Sequence, residues 1–327
     1  MHIFKILIFF MVSVFLTCSC EQENKREKVT DDSPLQIEAE NDRETFSSSE
    51  RNFDISNTSN HQIKFKTEVS AEDMLVKFNE VMNANPGMLI TNTFNHQENA
   101  NQAGLSMGFS TFHHLYTNQL VNPLIAENPL TALDLPLRIH FFDEDNENMT
   151  QFIDGNFLIQ RYGLSEGIQT AESNSRVLNS ILKNLTDDEA FLKAELNIKK
   201  FEGIKILQST SSFDVTAKTI LNNIKNNNEI SLLGAHDFQS FADDAGFETG
   251  KCILLLFGNP SVGTQLMKEQ PSLGIDLPLK LLIYEDENEV TNVAYNDMNF
   301  IFQLHGYQNT EVANQMNQLK KSLITGK

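Results

Sequence analysis

The chain has 327 residues, 40% of them apolar, which is enough for two ordinary domains and short for three. Its 44 acidic and 25 basic residues leave a formal net charge of −19. That balance argues against nucleic acid as a partner and against adsorption to anionic lipid through a basic patch.

In chain order, "MHIFKILIFFMVSVFLTCSC" opens with Lys5 and an apolar run from Ile6 to Leu16. The run is too short to span a bilayer, so it reads as the core of a signal peptide. Cysteines directly after it, followed by the polar "EQENKREK", resemble a bacterial lipoprotein signal. The lipid-carrying cysteine follows a small residue, so Ser19 before Cys20 fits better than Thr17 before Cys18. An ordinary secretory signal is the plainer alternative. Residues 1–19 are thus expected to be removed and residues 20–60 to form a disordered acidic tether. They hold too few apolar side chains to offset the cost of ordering. An acidic stretch after such a cysteine also resembles the surface-export signal of some Bacteroidota lipoproteins. The expected location is the cell envelope, anchored by lipid to the outer membrane.

Beyond the tether the sequence repeats itself. "NPLTALDLPLRIHFFDEDNENMTQFIDGNF" (128–157) aligns with "QPSLGIDLPLKLLIYEDENEVTNVAYNDMNF" (270–300). Pro129 falls on Pro271, Asp134 on Asp276 and Arg138 on Lys280. Gly104 precedes Pro129 by the spacing that separates Gly246 from Pro271. Tyr162-Gly163 falls opposite His305-Gly306 with one residue inserted in the second copy. The expected domains are 61–185 and 200–327, joined by a linker helix at 186–199.

Each copy opens with a strand ("QIKFKTEV", "GIKILQST") and an amphipathic helix. Ser70 with Asp73 resembles a capping box, and Met74, Leu75, Phe78, Val81 and Met82 keep helical spacing. Val215, Ile220, Leu221 and Ile224 serve the same role in copy two. A strand ending near His96 or His236 comes next, then a strand at 105–116 or 251–257. A short helix, a hairpin around an acidic turn and terminal helices (171–184, 310–323) complete the unit. Single helices alternating with runs of strands predict α+β with an antiparallel sheet.

The stretch "FGNPSVGT" (257–264) has the glycine spacing of a phosphate-binding loop, but Gly263 is followed by Thr264 and Gln265 where a lysine is needed. The aligned stretch of copy one, "YTNQLVNP" (116–123), has no glycine. No nucleotide site is expected. The plainer reading gives Gly258 and Gly263 unusual dihedrals in a strand-to-helix turn, with Pro260 setting the helix entry. Backbone amides around an anion at the start of helix 261–270 are the alternative.

The combined pattern "ILLLFGNPSVGTQLM…GIDLPLKLLIYED…AYND…HG" resembles the DUF302 domain, a family defined by sequence with no established biochemical role. The resemblance covers 203–323, and copy one shares it over about 62–184. Copy one departs at the FGNP loop and at the HG pair, where Tyr162 replaces His, and so reads as the degenerate copy. The resemblance implies two TBP-like domains, each a curved antiparallel sheet with helices packed on one side. It also implies that single-domain relatives pair as dimers, so the two copies are expected to form an intramolecular pseudo-dimer.

The candidate ligand-binding residues are His236, Gly258, Asn259, Gly263, Tyr295 and His305, expected to converge on one cleft in copy two. The plainer reading makes His236 a strand-end hydrogen bonder and His305 a helix-end residue. Asp276 reads as a turn residue accepting local backbone bonds. His113-His114 sit on a strand-like run where neighbours point apart, and are set aside as a metal site. Cys252, before the apolar "ILLLF", reads as a small buried strand residue, and no Cys/His cluster indicates zinc. No Ser/His/Asp elbow, HExxH or EF-hand loop is present, and no cofactor is assigned. The expected function is non-enzymatic binding of a small ligand by copy two. A protein–protein interaction scaffold is the alternative, and so is haem, metal or enzyme chemistry through His236 and His305.

Overall fold

The computed structural model describes residues 62–186 and 198–326. The expected signal peptide, Cys18, Cys20, the tether and most of the linker helix lie outside the described residues. Both copies belong to one compact unit.

Copy one contains β1 (Gln62–Thr67), α1 (Ala71–Ala84), β2 (Leu89–Asn95), α2 (His96–Gln102), β3 (Ser110–Tyr116) and α3 (Asn118–Glu127). A 3₁₀ turn, η1 (Pro129–Leu133), leads into β4 (Leu137–Glu144), β5 (Glu147–Ile153), α4 (Gly155–Tyr162) and α5 (Ile168–Thr186). Copy two repeats the order with β6 (Ile204–Gln208), α6 (Phe213–Lys225), β7 (Ser231–Asp237), α7 (Phe238–Asp244), β8 (Cys252–Gly258) and α8 (Pro260–Glu269). Its second half is η2 (Pro271–Asp276), β9 (Leu279–Glu285), β10 (Thr291–Asn296), α9 (Met298–Leu304) and α10 (Thr310–Thr325). The two sheets are antiparallel with matching strand orders, β1-β5-β4-β3-β2 and β6-β10-β9-β8-β7. The fold is α+β with two tandem domains.

Local chemistry accounts for most element ends. The Ser70 hydroxyl accepts the Asp73 amide, which fixes the start of α1. That helix buries Met74, Phe78 and Met82, and the Phe78 ring lies 5.0 Å from His113 and 5.4 Å from Phe141. Burying one such phenylalanine contributes about 1.5–3 kcal/mol. Asp145 and Asn146 both take positive φ and close the β4–β5 hairpin in two residues, the conformation that this short turn demands.

Three local expectations are corrected. The buried face of α6 is Phe213, Thr216, Ala217, Ile220 and Ile224, whereas Val215 is 53% exposed, because the stripe starts at Phe213. The strand expected from 105 begins at Ser110, since residues before it leave α2 through a Leu105 amide bond to the Ala100 carbonyl. Helices α2 and α7 were not expected. Each is seven residues long, too short for a periodic stripe, and is started by a side chain: Asn95 accepts from the Glu98 amide and Asp237 from the Ser240 amide.

Both faces of the central strands are buried. Every residue of β3 and of β8 is buried. In copy one, His113 and Phe141 face α1, while the alternate residues Phe112, His114 and His140 face copy two. The contacts between copies are reciprocal. α2 packs on α8 as α3 packs on α7, and η2 meets β4 as η1 meets β9. Exchange of equivalent elements is the signature of a two-fold interface, here made within one chain.

Candidate functional site between the two copies

The interface centres on two aspartates at equivalent positions, Asp134 and Asp276, each about 97% or more buried at the side chain. Arg138 bridges them: Nη2 donates to Asp134 Oδ1 at 2.9 Å and Nη1 to Asp276 Oδ1 at 2.6 Å. Asp134 also accepts from Arg161 Nη1 and from the Tyr162 hydroxyl, each at 2.6 Å. Asp276 Oδ2 lies 2.8 Å from His305 Nε2. Tyr162 and His305 therefore make the same bond to the equivalent aspartate in each copy. Replacement of His by Tyr at the HG pair keeps the donor. Lys280, aligned with Arg138, reaches only to 3.7 Å of Asp276, because an ammonium has no planar fork to span two carboxylates. Asp276 is thus more than a turn residue, since the Arg138 guanidinium of the other copy reaches it in the buried interface.

The charges set one another. Burial raises the Asp134 carboxyl, but Arg161 and Arg138 together hold it below its ordinary range. Burial lowers Lys280 to about 7, reinforced by Arg138 and opposed by Asp276 and Asp134. Burial and the neighbouring Asp134 raise Tyr162 well above its ordinary value, which keeps it a donor.

A second layer of bonds runs from copy one to the carbonyls of η2. Gln151 Nε2 donates to Ser272 O at 2.7 Å, His96 Nε2 lies 2.9 Å from Gly274 O, and Arg138 Nη1 donates to Ile275 O at 2.8 Å. His140 sits against Gly274, where a Cβ would come within 2.7 Å of its ring, so this close approach requires glycine. His114 Nδ1 is 3.0 Å from His236 Nε2. Burial lowers His96 to about 4 and His236 to about 3, and depresses His114 and His140 well below their ordinary value. These imidazoles are neutral near pH 7.

Beside this network lies a mostly apolar cavity of about 140 Å³. Copy two supplies the Gly258–Thr264 loop with Leu233, Leu277 and Pro278, and copy one supplies Phe94, His96 and Asn99. Asn259 caps α8 by accepting the Ser261 amide at 2.9 Å, and Pro260 opens the helix. The Gly263 amide is held by Asn259 O at 3.0 Å, so two of the first amides are already taken.

Neither Gly258 nor Gly263 has a positive φ, which overturns the expectation that they supply unusual dihedrals. A Cβ on Gly258 would meet Pro278 at 3.8 Å and Leu233 at 4.0 Å. One on Gly263 would meet Leu277 and Met267 at 3.9 Å. These are ordinary contacts, so neither the backbone nor the neighbours require glycine. What the two glycines provide is space.

Of the six candidate residues, Gly258, Asn259 and Gly263 share this cavity, and the other three do not line it. His236 is bonded to His114 across the interface. His305 closes α9 with Nδ1 2.8 Å from the Ser272 hydroxyl and Nε2 on Asp276. Tyr295 lies on β10 beside β6, with the Lys320 ammonium 5.0 Å from its ring centre. Sequence reasoning missed Phe94, His96 and Asn99, because they come from the other copy. The available signal was the alignment, in which His96 falls on Phe238. His114, on a strand where it cannot share a metal with His113, is the partner of His236 across the interface. Among the described residues no group of three or more His, Cys, Asp and Glu is placed to hold a metal ion.

The family model described as "Domain of unknown function DUF302" matches residues 63–185 and again 205–324. The fluoride-specific ion channel FluC 1 proteins of Brucella suis and Brucella abortus are each 35% identical over 69 residues, 21% of this chain. The matched stretch is 27% and 26% of their lengths, so the chain spans about a quarter of these curated relatives. A crystal structure of an uncharacterized conserved DUF302 protein from Bacillus stearothermophilus is similar at a TM-score of 0.35 and 14% identity, over 38% of this chain and 97% of that one.

Proposed function

This chain belongs to the DUF302 family, and on that premise we propose that its two copies act as one fused, non-enzymatic binding unit for a small, largely apolar molecule. The molecule enters the cavity between the Gly258–Thr264 loop and the Phe94, His96 and Asn99 edge. The observation that carries the reading is the pair of glycines that neither dihedrals nor neighbours require. Inside helix α8, glycine at 263 costs about 1 kcal/mol relative to alanine, so the space it leaves is held at a cost to stability. The charged network beside the cavity holds the two walls at fixed distance and takes no part in the binding.

A scaffold function rests on the same pseudo-dimer, and the cavity favours the binding reading over it. Haem, metal or general-base chemistry at His305 is supported least, since both of its ring nitrogens already hold protein partners. The fluoride transport in the relatives' names belongs to those proteins and is not carried over. We further propose that the unit is held at the cell envelope, on the outer membrane, by lipid on Cys20 and the acidic tether.

The cavity is tested by thermal unfolding of the full chain with a panel of small neutral aliphatic and aromatic compounds. A ligand at 100 times its dissociation constant stabilises by about 2.7 kcal/mol, several degrees in midpoint. The shift is expected to vanish in Gly263→Val, which restores the side chain that copy one carries at Val121. An unmoved midpoint across the whole panel overturns the binding reading. Labelled palmitate retained by Cys18→Ala and lost by Cys20→Ala is the expected result for the anchor; retention by Cys20→Ala refutes that assignment.

A further inference from the structure

The cavity has an internal twin, and the twin is occupied. Gly258 aligns with Tyr116, Gly263 with Val121, Thr264 with Asn122 and Asn99 with Phe241. The strand registers confirm the alignment, since Phe112 pairs with His140 as Leu254 pairs with Leu282. The packing confirms it too, with α3 on α7 standing where α8 meets α2. In the twin, Tyr116 is 3% exposed. Its ring lies 4.9 Å from Phe241, and its hydroxyl donates to Asn122 Oδ1. Ring and hydroxyl therefore touch the residues aligned with Asn99 and Thr264, two groups that line the cavity of copy two.

We infer that the cavity beside Gly258 takes a neutral monocyclic phenol, seated as the Tyr116 side chain is seated in the twin site. This rests on the cavity being a binding site and adds the class of ligand. The removal of one side chain defines the shape. A Cβ at 258 would start between Pro278 and Leu233, both cavity walls, so the path of a tyrosine from that position runs into the cavity. What a Gly258 backbone lacks relative to Tyr116 is 4-methylphenol, p-cresol, and the free molecule is the natural probe. The walls suit it. Phe94 and His96 offer aromatic surface on the copy-one side, and Leu233, Leu277 and Pro278 offer apolar contact on the other. Of the polar residues that line the cavity, Asn99 and Thr264 are the two whose counterparts touch Tyr116 in the twin. The Thr264 hydroxyl donates to Pro260 O at 2.7 Å, which leaves its oxygen lone pairs to accept, as Asn122 accepts in the twin. Glu229 at the cavity and the net charge of −19 disfavour an anionic ligand such as a benzoate.

The test is calorimetric titration of the full chain with p-cresol, toluene, benzoate and hexan-1-ol, with thermal unfolding in parallel. Wild type is expected to bind one p-cresol per chain, at least tenfold more tightly than toluene or benzoate, with a raised unfolding midpoint. Gly258→Tyr carries its own occupant, so it is expected to unfold at a higher midpoint than wild type and to lose p-cresol binding. Should that variant fail to fold, Gly258→Ala adds only a methyl at ordinary contact distance and is expected to weaken binding severalfold. The reciprocal variant Tyr116→Gly empties the twin and is expected to bind two p-cresol molecules, the second restoring much of the lost midpoint. Binding of hexan-1-ol with none of p-cresol overturns the phenol assignment and leaves the cavity reading standing. Absence of binding by all four compounds overturns both. Binding of p-cresol that survives in Gly258→Tyr places it elsewhere and overturns the assignment.

Discussion

Acidification from about pH 7.5 to about pH 5 is expected to remove much of the stability of this protein, through imidazoles that folding buries in neutral form. His96 and His113 are lowered to about 4 and His236 to about 3, in each case chiefly by burial, and His114 and His140 are shifted in the same direction. Their folded values lie below the unfolded value near 6.5. Between those limits the unfolded chain binds more protons, so stability rises with pH there and falls as pH drops through about 6.5. The loss stops growing only near the folded values, at about pH 4 to 3. At about pH 5 each such histidine costs roughly 2 kcal/mol, 1.5 pH units below the free value at about 1.4 kcal/mol per unit. His96, His113 and His236 alone then cost about 6 kcal/mol, against a total stability of roughly 5–15 kcal/mol for an ordinary domain. Urea unfolding followed by circular dichroism at several pH values measures the effect, with the slope against denaturant held constant as the check that the two end states are unchanged. His140→Leu supplies the internal control, since copy two carries Leu282 at that position. It should flatten the pH slope by about one proton. A urea midpoint that is the same at both pH values would refute neutral burial of these rings.

Three further outcomes follow from the interface. Asp134→Asn leaves Arg138 and Arg161 buried beside a neutral partner and is expected to lose about 3–5 kcal/mol in urea unfolding, whereas Asp145→Asn on the exposed hairpin should change little. Gly274→Ala drives a methyl into the His140 ring and is expected to cost about 1–3 kcal/mol; His140→Ala in the same chain should recover part of it, and strict additivity would contradict the contact. Cys252 is buried and its thiol is raised out of the ordinary range by burial, so in a chain carrying Cys18→Ala and Cys20→Ala, labelling of Cys252 by a thiol reagent should track opening of the β8 region and be negligible in the folded protein.

What the sequence determined by itself is the repeated unit. Duplication of "ALDLPLRI" as "GIDLPLKL", the acidic hairpins and the Ser70–Asp73 cap are short-range signals, and each marks an element that local geometry sets. The loop "FGNPSVGT" was legible as special, because a glycine pair stands where copy one has Tyr116 and Val121. Why it is special was not legible. Strand periodicity states that His114 and His113 face opposite sides, yet cannot state that one of those sides meets His236 from the other copy. Tyr162 in place of His305 reads as drift in sequence and proves to be the same bond to an aspartate. Only the tertiary structure decided these points. His114 and His236 lie more than a hundred residues apart, and even Tyr162 and His305 reach their aspartates across nearly thirty residues, so each pairing is set by how the elements pack, a property that no local pattern encodes. The same packing turned a glycine into a cavity wall, because empty space has meaning only once the residues around it are in place.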